Sequence, residues 1–409
     1  MRFHVLHSPL GTLLAYHLRQ TLPSKHAVSL IYNHKDVVQK QIISNNTVRL
    51  EHSGVTMSVP NIDFEPLDPS LPPNGGPPKA TAAAGTEGPS AEVHDPEPIE
   101  SLIVTIPPTF TRVALNSLIH RLSPQSTIVL MQPGLGVYER LVTTLFPNPL
   151  RRPHFIIASP RHGTFLKEPN HVVHDLPGSI DFSIVPDPRG RDFEARLRAR
   201  DTPALNQGLR LTDIANKDTD SNFADYASLR NTVAVLSRLD ALNVSWLPME
   251  EGEIVFRRDL VVRAVTDALA VALGLPNGAL LSTSSSKKLA EDLIWEIHGA
   301  FRRQWETEIR SQLPPERQFR DIPLLPRGLG RRELMGELVR HLLVTKERRA
   351  PMLFDVQMGG PTQVRFGLGY LYGIGRSYDF RMPTALALIR MIVARESVAK
   401  KPAEYVKTL

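Results

Sequence analysis

Residues 2–18 of this chain read RFHVLHSPLGTLLAYHL, and this stretch decides the fold. Its apolar start at 3–6 predicts a buried strand, and 11–22 carries leucines at helical spacing. A second short apolar run at 28–32 predicts another strand. A strand, a helix and a strand in this order are typical of the opening of a parallel α/β sheet.

The same alternation of strands and helices extends to residue 186. We predict strands at 47–50, 56–59, 102–106, 127–131, 154–158, 172–174 and 180–185, and helices at 36–43, 111–122 and 138–146. The last two of these strands are predicted to extend the sheet in antiparallel fashion. Strands that alternate with helices favour a doubly wound, Rossmann-type parallel sheet.

A segment at 65–98 interrupts this pattern. It is rich in proline, glycine and alanine and poor in large apolar residues. A segment of that composition buries too little apolar surface to offset the entropy of ordering its backbone. We therefore predict a disordered insertion within the first domain.

Beyond residue 222 the spacing of apolar residues is helical throughout. Helices are predicted at 226–239, 259–273, 288–309, 331–343 and 384–395. This pattern indicates an all-α second domain. The sequence therefore predicts a Rossmann-like domain at 1–186, a basic linker at 187–221 and a helical domain at 222–400.

Composition excludes several classes of protein. The 409 residues include no cysteine, which rules out disulfides and thiolate chemistry. No apolar run approaches the roughly 20 residues that cross a bilayer. No pair of histidines has the spacing and the acidic support of a helical metal site, so we expect no metal. Because the first apolar run begins at residue 3, we also expect no signal peptide.

Four short segments, in their order along the chain, carry a resemblance to a known family. They are 102–105 (LIVT), 132–136 (QPGLG), 162–163 (HG) and 352–356 (MLFDV). Together they resemble the ketopantoate reductase family over most of the chain. The resemblance implies a Rossmann domain followed by a helical domain similar to the C-terminal domain of 6-phosphogluconate dehydrogenase. It also implies reduction of a 2-keto acid by NADPH.

The turn after the first strand departs from the dinucleotide-binding pattern of that family. Glycines in such a turn bring backbone N–H groups close to the pyrophosphate. Here the turn reads His7-Ser8-Pro9-Leu10-Gly11, so only the last glycine remains, and Pro9 has no N–H to donate. We interpret His7, Ser8 and Gly11 as a remnant of the turn, with Gly11 serving helix packing, and we expect no cofactor.

Two positions at which the family carries basic residues have also changed. Asn33 stands where a basic residue would neutralise the 2′-phosphate of NADPH, although His34 and Lys35 follow directly. Pro107 stands where the family carries a lysine after the central strand. The resemblance therefore implies that cofactor binding is weakened on both sides of the turn.

The resemblance places the family's proton-donating lysine and two asparagines on one helix face. They align with Asp259, Arg263 and Asp267. An aspartate has no proton to donate at neutral pH and repels the carboxylate of a keto acid. Arg257 or Arg258 could replace the lysine only after a shift of register.

Three further positions that the resemblance implies for the active site are altered. Pro133 replaces the asparagine of an Asn-Gly turn, and Pro351 and Gln363 replace a serine and a glutamate that contact the substrate. We therefore expect no catalytic residues and interpret the chain as a pseudoenzyme that acts as a binding or assembly factor. The alternative is a divergent NADPH-dependent 2-dehydropantoate 2-reductase, and a third hypothesis is a sensor with a small-molecule cleft.

A weaker resemblance, at 102–105 and 154–163, is to a fungal mitochondrial protein that activates translation of cytochrome b messenger RNA. It implies a mitochondrial location and a partner such as the mitochondrial ribosome or an mRNA-containing assembly. A cytoplasmic location is the alternative and fits the reductase hypothesis.

Basic residues concentrate in the second half of the chain, although the net charge is only +6. Lys and Arg contacts to phosphates give affinity for RNA without base-specific geometry. The candidates for contact with RNA or a protein partner are Arg189, Arg191, Arg196, Arg198, Arg200, Arg302 and Arg303. A solvated linker and helix face is the alternative explanation for these arginines.

Overall fold

Twelve strands form two sheets in the part of the chain that the structure, a computed structural model, describes: residues 1–33, 46–67, 97–198, 208–312 and 324–399. The strands are β1 (Arg2–Leu6), β2 (Ala27–Tyr32), β3 (Val48–His52), β4 (Val55–Val59), β5 (Asp63–Pro66), β6 (Ser101–Val104), β7 (Thr127–Met131), β8 (His154–Pro160), β9 (Gly163–Glu168), β10 (His171–Leu176), β11 (Ile180–Ile184) and β12 (Val244–Trp246). The predicted helix at 36–43 lies outside the described residues.

The larger sheet has eight strands in the order β12-β11-β8-β7-β6-β1-β2-β5. All neighbours in it are parallel except β11, which is antiparallel to β8. The order in which successive strands are added to the sheet reverses between β1 and β6, because β2 lies on one side of β1 and β7 lies on the far side of β6. The predicted doubly wound Rossmann-type sheet is therefore confirmed, and its switch point lies at the ends of β1 and β6.

The smaller sheet has the order β4-β3-β10-β9. Strand β10 lies parallel to β3 and antiparallel to β9. The prediction that 172–174 extends the main sheet is therefore wrong, because an alternating apolar pattern fixes which face is buried and leaves the partner strand undetermined. The buried residues Val48, Leu50 and Val172 of this sheet belong to the same core as the first helix.

The described helices alternate with these strands and then continue alone. They are α1 (Pro9–Thr21), α2 (Pro108–Leu118), α3 (Val137–Thr144), α4 (Ala195–Arg198), α5 (Leu211–Ile214), α6 (Phe223–Leu236), α7 (Met249–Leu273), α8 (Ser284–Gln312), α9 (Arg331–Val344), α10 (Pro351–Gln357), α11 (Leu368–Ser377) and α12 (Pro383–Ala399). The all-α second domain is confirmed. In the part of the chain described, no helix is long and apolar enough to cross a membrane.

The chain divides into two compact units. The first comprises Met1–Ile106, Phe110–Gln132 and Leu141–Met249, and the second comprises Pro107–Thr109, Pro133–Arg140 and Glu250–Leu409. The first unit thus runs well past residue 186, where the sequence predicted its end. It includes α6 and β12, which were assigned to the helical domain because their local pattern says nothing about which core they join.

The predicted linker at 187–221 is a part of the first unit wherever it is described. Phe193, Ile214 and Ala215 are buried in the same hydrophobic core as β1 and α6. The Arg191 guanidinium lies 3.8 Å from the centre of the Tyr226 ring and pairs with Asp220. The described part of this segment therefore packs as a part of the fold, because Phe193, Ile214 and Ala215 are buried in the core.

A buried carboxylate in the second unit ties two long helices together. Glu296 of α8 is only 3% exposed, and its two carboxylate oxygens accept hydrogen bonds from the backbone N–H groups of Thr384 and Ala385 at 2.8 and 2.9 Å. These are donors at the start of α12 that have no partner within the helix. A negative charge at a helix N-terminus is also favourable for the helix dipole.

The predicted insertion at 65–98 begins too early. Strand β5 includes Glu65 and Pro66, and Phe64 is buried in the core. Most of the predicted insertion, 68–96, lies outside the described residues. The strand was missed because proline-rich composition masked a short parallel pairing with β2.

We expect a variant that lacks residues 68–96 to stay folded, with a melting temperature within a few degrees of that of the full chain. These residues supply few large apolar side chains to a core, and loop-closure entropy changes only slowly with loop length. Thermal unfolding of the two proteins side by side measures the effect. Loss of a cooperative transition in the deletion variant would contradict it.

Candidate functional site

The connection between β1 and α1 consists of only His7 and Ser8. The Ser8 hydroxyl accepts a hydrogen bond from the Gly11 N–H at 2.9 Å and donates one to Thr105 Oγ1 at 2.8 Å. Ser8 is therefore the N-cap of α1, and Pro9 occupies the first turn of that helix. A helix that begins in this way has fewer free N–H groups to offer to a bound anion.

Gly11 lies where α1 crosses the ends of β1 and β6. A Cβ atom at this position would lie 2.3 Å from the Leu6 carbonyl oxygen and 2.7 Å from Thr105 Oγ1. The Thr105 hydroxyl itself donates to the Leu6 carbonyl oxygen at 2.7 Å. These distances support the interpretation that Gly11 allows close packing of the helix on the strand.

The ring of His7 occupies the space beside the turn. It stacks on the Tyr32 ring with the two centres 4.0 Å apart, and its Nε2–H donates to the Pro169 carbonyl oxygen at 2.8 Å. The Tyr32 hydroxyl donates to the same oxygen at 3.2 Å. Burial lowers the pKa of His7, so the ring is neutral and offers no positive charge to a phosphate.

These residues do not fit the pyrophosphate of a dinucleotide. The fold places that group at the N-terminus of α1. There the Gly11 N–H is already bonded to Ser8, Pro9 has no N–H, and His7 is a neutral ring held by its neighbours. The sequence identified His7, Ser8 and Gly11 as residues of this turn. It did not identify their partners Tyr32, Thr105 and Pro169, because these come from distant segments of the chain and no local motif marks them.

The other two cofactor positions predicted from the sequence each follow a strand of the larger sheet along the chain. Asn33 is exposed directly after β2, and Pro107 lies between β6 and α2. Residues 34 and 35, the possible basic substitutes, lie outside the described residues.

Asp259, Arg263 and Asp267 lie four residues apart on α7 and therefore share one face of that helix. Burial raises the pKa of Asp267 to about 7, against the opposing effects of a hydrogen bond from the Met352 N–H and of the Arg263 charge. The position aligned with the catalytic lysine, Asp259, thus lies one helical turn from Arg263. It has no amine to donate a proton.

His341 of α9 faces the same side of α7. Burial, together with the charge of Arg263 and against that of Asp259, lowers its pKa to about 4. The structure thus brings Asp259, Arg263 and Asp267 together with the start of α10, where Pro351 lies. The sequence predicted this grouping, and it missed His341.

Arg257, the possible substitute for the lysine, already has partners. Its guanidinium donates to Gln304 Oε1 at 3.1 Å and lies 5.5 Å from the centre of the Phe301 ring. Glu253 lies 3.8 Å away, one helical turn earlier. These contacts hold Arg257 against α8.

The turn that begins at Pro133 keeps its glycines. Gly134 and Gly136 have φ angles of +101° and +86°. A Cβ atom on Gly134 would lie 2.7 Å from the Phe366 carbonyl oxygen, and one on Gly136 would lie 2.8 Å from the Tyr370 ring. The Leu135 N–H donates to the same Phe366 oxygen at 3.2 Å. Gln363 begins the short 3₁₀ helix that ends at Phe366. The turn is therefore retained for packing, while the amide of the family pattern is absent.

Four histidines meet in the first unit, at positions 17, 52, 162 and 174. The Gly178 N–H donates to His162 Nδ1 at 3.0 Å, so the His162 Nε2–H donates to the Leu242 carbonyl oxygen at 3.1 Å. His174 Nε2 lies 3.0 Å from His162 Nδ1 and donates to it. Among the described residues no group of three or more His, Cys, Asp or Glu side chains is placed to hold a metal ion.

Acid should destabilise the first unit. Burial lowers the pKa values of His4, His17 and His154 from 6.5 to about 4. Between pH 6.5 and pH 4 the unfolded chain binds more protons than the folded one. The contribution of these neutral histidines to stability is therefore fully present above their unfolded-state pKa of 6.5, and it is lost as the pH drops toward 4. We expect the melting temperature to fall between about pH 7.5 and about pH 5, and the fall to be smaller in His17→Gln.

Exposed His120 provides the matched control, and His120→Gln should leave the pH dependence as it is in the wild type. A melting temperature that is constant over this range in the wild type would contradict the prediction.

The arginines predicted to contact RNA differ in their surroundings. Arg189, Arg191 and Arg196 form ion pairs with Asp187, Asp220 and Asp213 within the first unit. The side chain of Arg198 and all of Arg200 lie outside the described part of the chain. Arg302 and Arg303 are exposed on α8, and Arg302 pairs with Glu306 at 2.7 Å. The first three therefore have a structural role, whatever else they contact.

Comparison with known proteins agrees with the fold. Residues 9–187 match the family described as Ketopantoate reductase PanE/ApbA, and residues 257–396 match Ketopantoate reductase PanE/ApbA C terminal. A protein of Schizosaccharomyces pombe named "Probable 2-dehydropantoate 2-reductase" is 27% identical over 177 residues, which are 43% of this chain and 45% of that protein. The matched region is thus less than half of that relative.

Solved structures resemble the whole chain at low sequence identity. The ternary structure of D-mandelate dehydrogenase with NADH and anilino(oxo)acetate has a TM-score of 0.65 at 14% identity and covers 98% of this chain and 100% of that one. A PanE/ApbA family ketopantoate reductase from Ralstonia eutropha has a TM-score of 0.63 at 15% identity, with coverage of 98% and 100%. At such identities these structures establish the fold alone.

Proposed function

Because the chain belongs to the ketopantoate reductase family, we propose that it keeps the scaffold of these NAD(P)H-dependent reductases but acts as a binding protein and does not transfer hydride. The observation that carries the proposal is the state of the β1–α1 turn. Its helix N-terminus is capped by Ser8, and its anion-facing side is filled by the His7 ring on Tyr32.

Binding of a pyrophosphate at this turn would require the chain to give up contacts that it already makes. Displacing an N-cap hydroxyl costs about 0.5–2 kcal/mol. Moving His7 would also break its hydrogen bond to Pro169 and its stack on Tyr32. No described cation at the turn would compensate these losses.

The helical unit supports the same proposal independently. A proton donor for a developing alkoxide must carry a proton at working pH and lie within hydrogen-bond distance of the oxygen. Asp259 occupies the aligned position, and Arg257 is held by Gln304 and Phe301. Asp267, whose pKa of about 7 allows it to carry a proton, already accepts a hydrogen bond from the Met352 N–H.

Titration of the purified protein with NADPH, followed by nucleotide fluorescence, tests the proposal. We expect no saturable binding up to about millimolar nucleotide, which corresponds to a binding free energy weaker than about −4 kcal/mol. The control is a second titration of a variant with His7→Gly and Pro9→Gly, which opens the turn and restores an N–H. Micromolar binding by the wild type would refute the proposal.

The second candidate function is NADPH-dependent reduction of 2-dehydropantoate or a related 2-keto acid. It is favoured by the family match over both units and by the name of the Schizosaccharomyces pombe relative. The comparisons thus favour this alternative over the non-catalytic proposal, whereas the geometry of the turn favours the latter. In the reductase, a residue from another position would have to supply the missing proton.

We further propose that the partner is an RNA-containing assembly in mitochondria, such as the ribosome. Support comes from the exposed Arg302 and Arg303 on α8 and from the basic excess of the second half of the chain. Cell fractionation followed by sedimentation of ribosomes at low and high salt tests this, since phosphate contacts weaken steeply with salt. A cytosolic protein that does not sediment with RNA at low salt would remove the proposal.

A further inference from the structure

A groove of about 430 Å³ lies on the second unit beside α8. Its apolar surfaces are Trp295 and Phe380, and three arginines, Arg302, Arg303 and Arg331, line it as well. Nothing in the family pattern discussed above assigns a role to any of these residues. The volume is within the range of ordinary small-molecule sites.

The aromatic part of the groove is built into the fold. Trp295 is 53% exposed, and its ring centre lies 6.1 Å from that of Phe380. A Cβ atom on Gly299 would lie 2.2 Å from the tip of the Phe380 ring, so Phe380 packs on α8 because residue 299 is glycine. An exposed indole held in this way offers a rigid, flat surface for stacking.

The charges around the groove are uneven. Arg302 is paired with Glu306, whereas no ion pair joins Arg303 or Arg331 to a carboxylate in the part of the chain that the structure describes. Both of these arginines are exposed. Two guanidinium groups near a flat aromatic ring are suited to a ligand that combines a planar ring with a phosphate.

The neighbouring groove, of about 350 Å³, shares Trp295 and Arg331 with the first and is also lined by Glu291, Asp292 and Arg332. Its two carboxylates repel phosphate, whereas Arg303 lines the first groove and not the second. A phosphate on a ligand stacked on Trp295 is therefore favoured on the side of Arg303.

We propose that this groove binds a nucleotide unit, with the base stacked on Trp295 and the phosphate held by Arg303 and Arg331. The source is either a free mononucleotide or a nucleotide of single-stranded RNA, since the two share this chemistry. Aromatic stacking with nearby arginines is the common mode of single-strand binding. The inference rests on the binding role proposed above.

Fluorescence anisotropy of a labelled single-stranded oligouridylate, with the full-length protein at low salt, tests the groove. Trp295→Leu should weaken binding about tenfold or more, since stacking of one base on an aromatic ring is worth about 1–3 kcal/mol. Trp295→Phe should retain most of the affinity. The double variant Arg303→Gln/Arg331→Gln should weaken binding and reduce its salt dependence. Exposed Arg310, on α8 but outside the groove, provides the control Arg310→Gln.

Competition by AMP distinguishes the two sources. Displacement of the oligonucleotide by AMP supports a mononucleotide site, and binding of RNA that AMP does not displace supports a site for the polymer. No binding of either probe by the wild type, or equal binding by Trp295→Leu and the wild type, would overturn the inference. Turnover of NADPH with a keto acid would refute the non-catalytic role alone, because this test uses neither compound.

Discussion

Purified protein mixed with NADPH and ketopantoate should oxidise no measurable NADPH. General acid catalysis alone contributes about 10² to 10⁴-fold to a rate. The aligned donor position is Asp259, and Ser8 and His7 already make contacts with Gly11 and Tyr32 at the turn where the family binds its cofactor. If the proposed loss of the donor and of productive cofactor binding is right, the rate should be at least about 10⁴-fold below that of an ordinary family member.

Absorbance at the NADPH band, with protein at high micromolar concentration, measures this rate. The informative controls are Arg257→Gln and Arg258→Gln, because these two cations directly precede Asp259 and could take over from the missing lysine. The prediction would be contradicted if the wild type turned over at a rate near that of an ordinary reductase. If Arg257→Gln or Arg258→Gln then abolished this turnover, the substituted arginine would be identified as a displaced proton donor. Turnover that survives both variants would contradict it as well and direct attention to Asp267.

Substitution of Gly11 by valine should prevent the first unit from folding stably. Even a single Cβ atom there would lie 2.3 Å from the Leu6 carbonyl oxygen, and this backbone cannot move without disturbing β1. Overpacking of an ordinary core costs about 1–3 kcal/mol. A clash with backbone in the central strand of the sheet should cost at least the upper end of that range.

Thermal unfolding and far-ultraviolet circular dichroism of Gly11→Val measure the loss, and Gly11→Ala should show a smaller loss in the same direction. Gly336→Ala is the matched control, since Gly336 is also helical and a Cβ atom there meets nothing within 4 Å. That variant should be unchanged or slightly stabilised, by up to about 1 kcal/mol. A Gly11→Val protein as stable as the wild type would show that α1 can shift away from β1.

The sequence predicted the parts of the fold that depend on local pattern. The first strand and helix, the parallel sheet and the helical second half all follow from periodicity, and the close-packing role of Gly11 follows from its place in the turn. Partners that come from far along the chain were not predictable. Pro169, for example, accepts the hydrogen bond from Tyr32 across 137 residues, and no spacing rule connects them.

The candidate site shows the same division. The alignment correctly grouped Asp259, Arg263 and Asp267 on one helix face, because a spacing of four residues has a fixed geometrical meaning. It could not identify His341, which joins the group from α9. Nor could composition show that the arginine-rich segment after residue 186 would be anchored by Asp187, Asp220 and Tyr226.

The position of β12 has a consequence for how the protein is made. Strand β12, at the edge of the main sheet, comes from residues 244–246, far along the chain from its neighbour β11. Domains generally fold as units while synthesis proceeds from the N-terminus. A nascent chain that has emerged only to residue 186 still lacks α6 and β12, so β11 has an unpaired edge and the core is incomplete. The first unit can therefore finish folding only after residue 249 has left the ribosomal tunnel, and until then one edge of β11 lacks its partner strand.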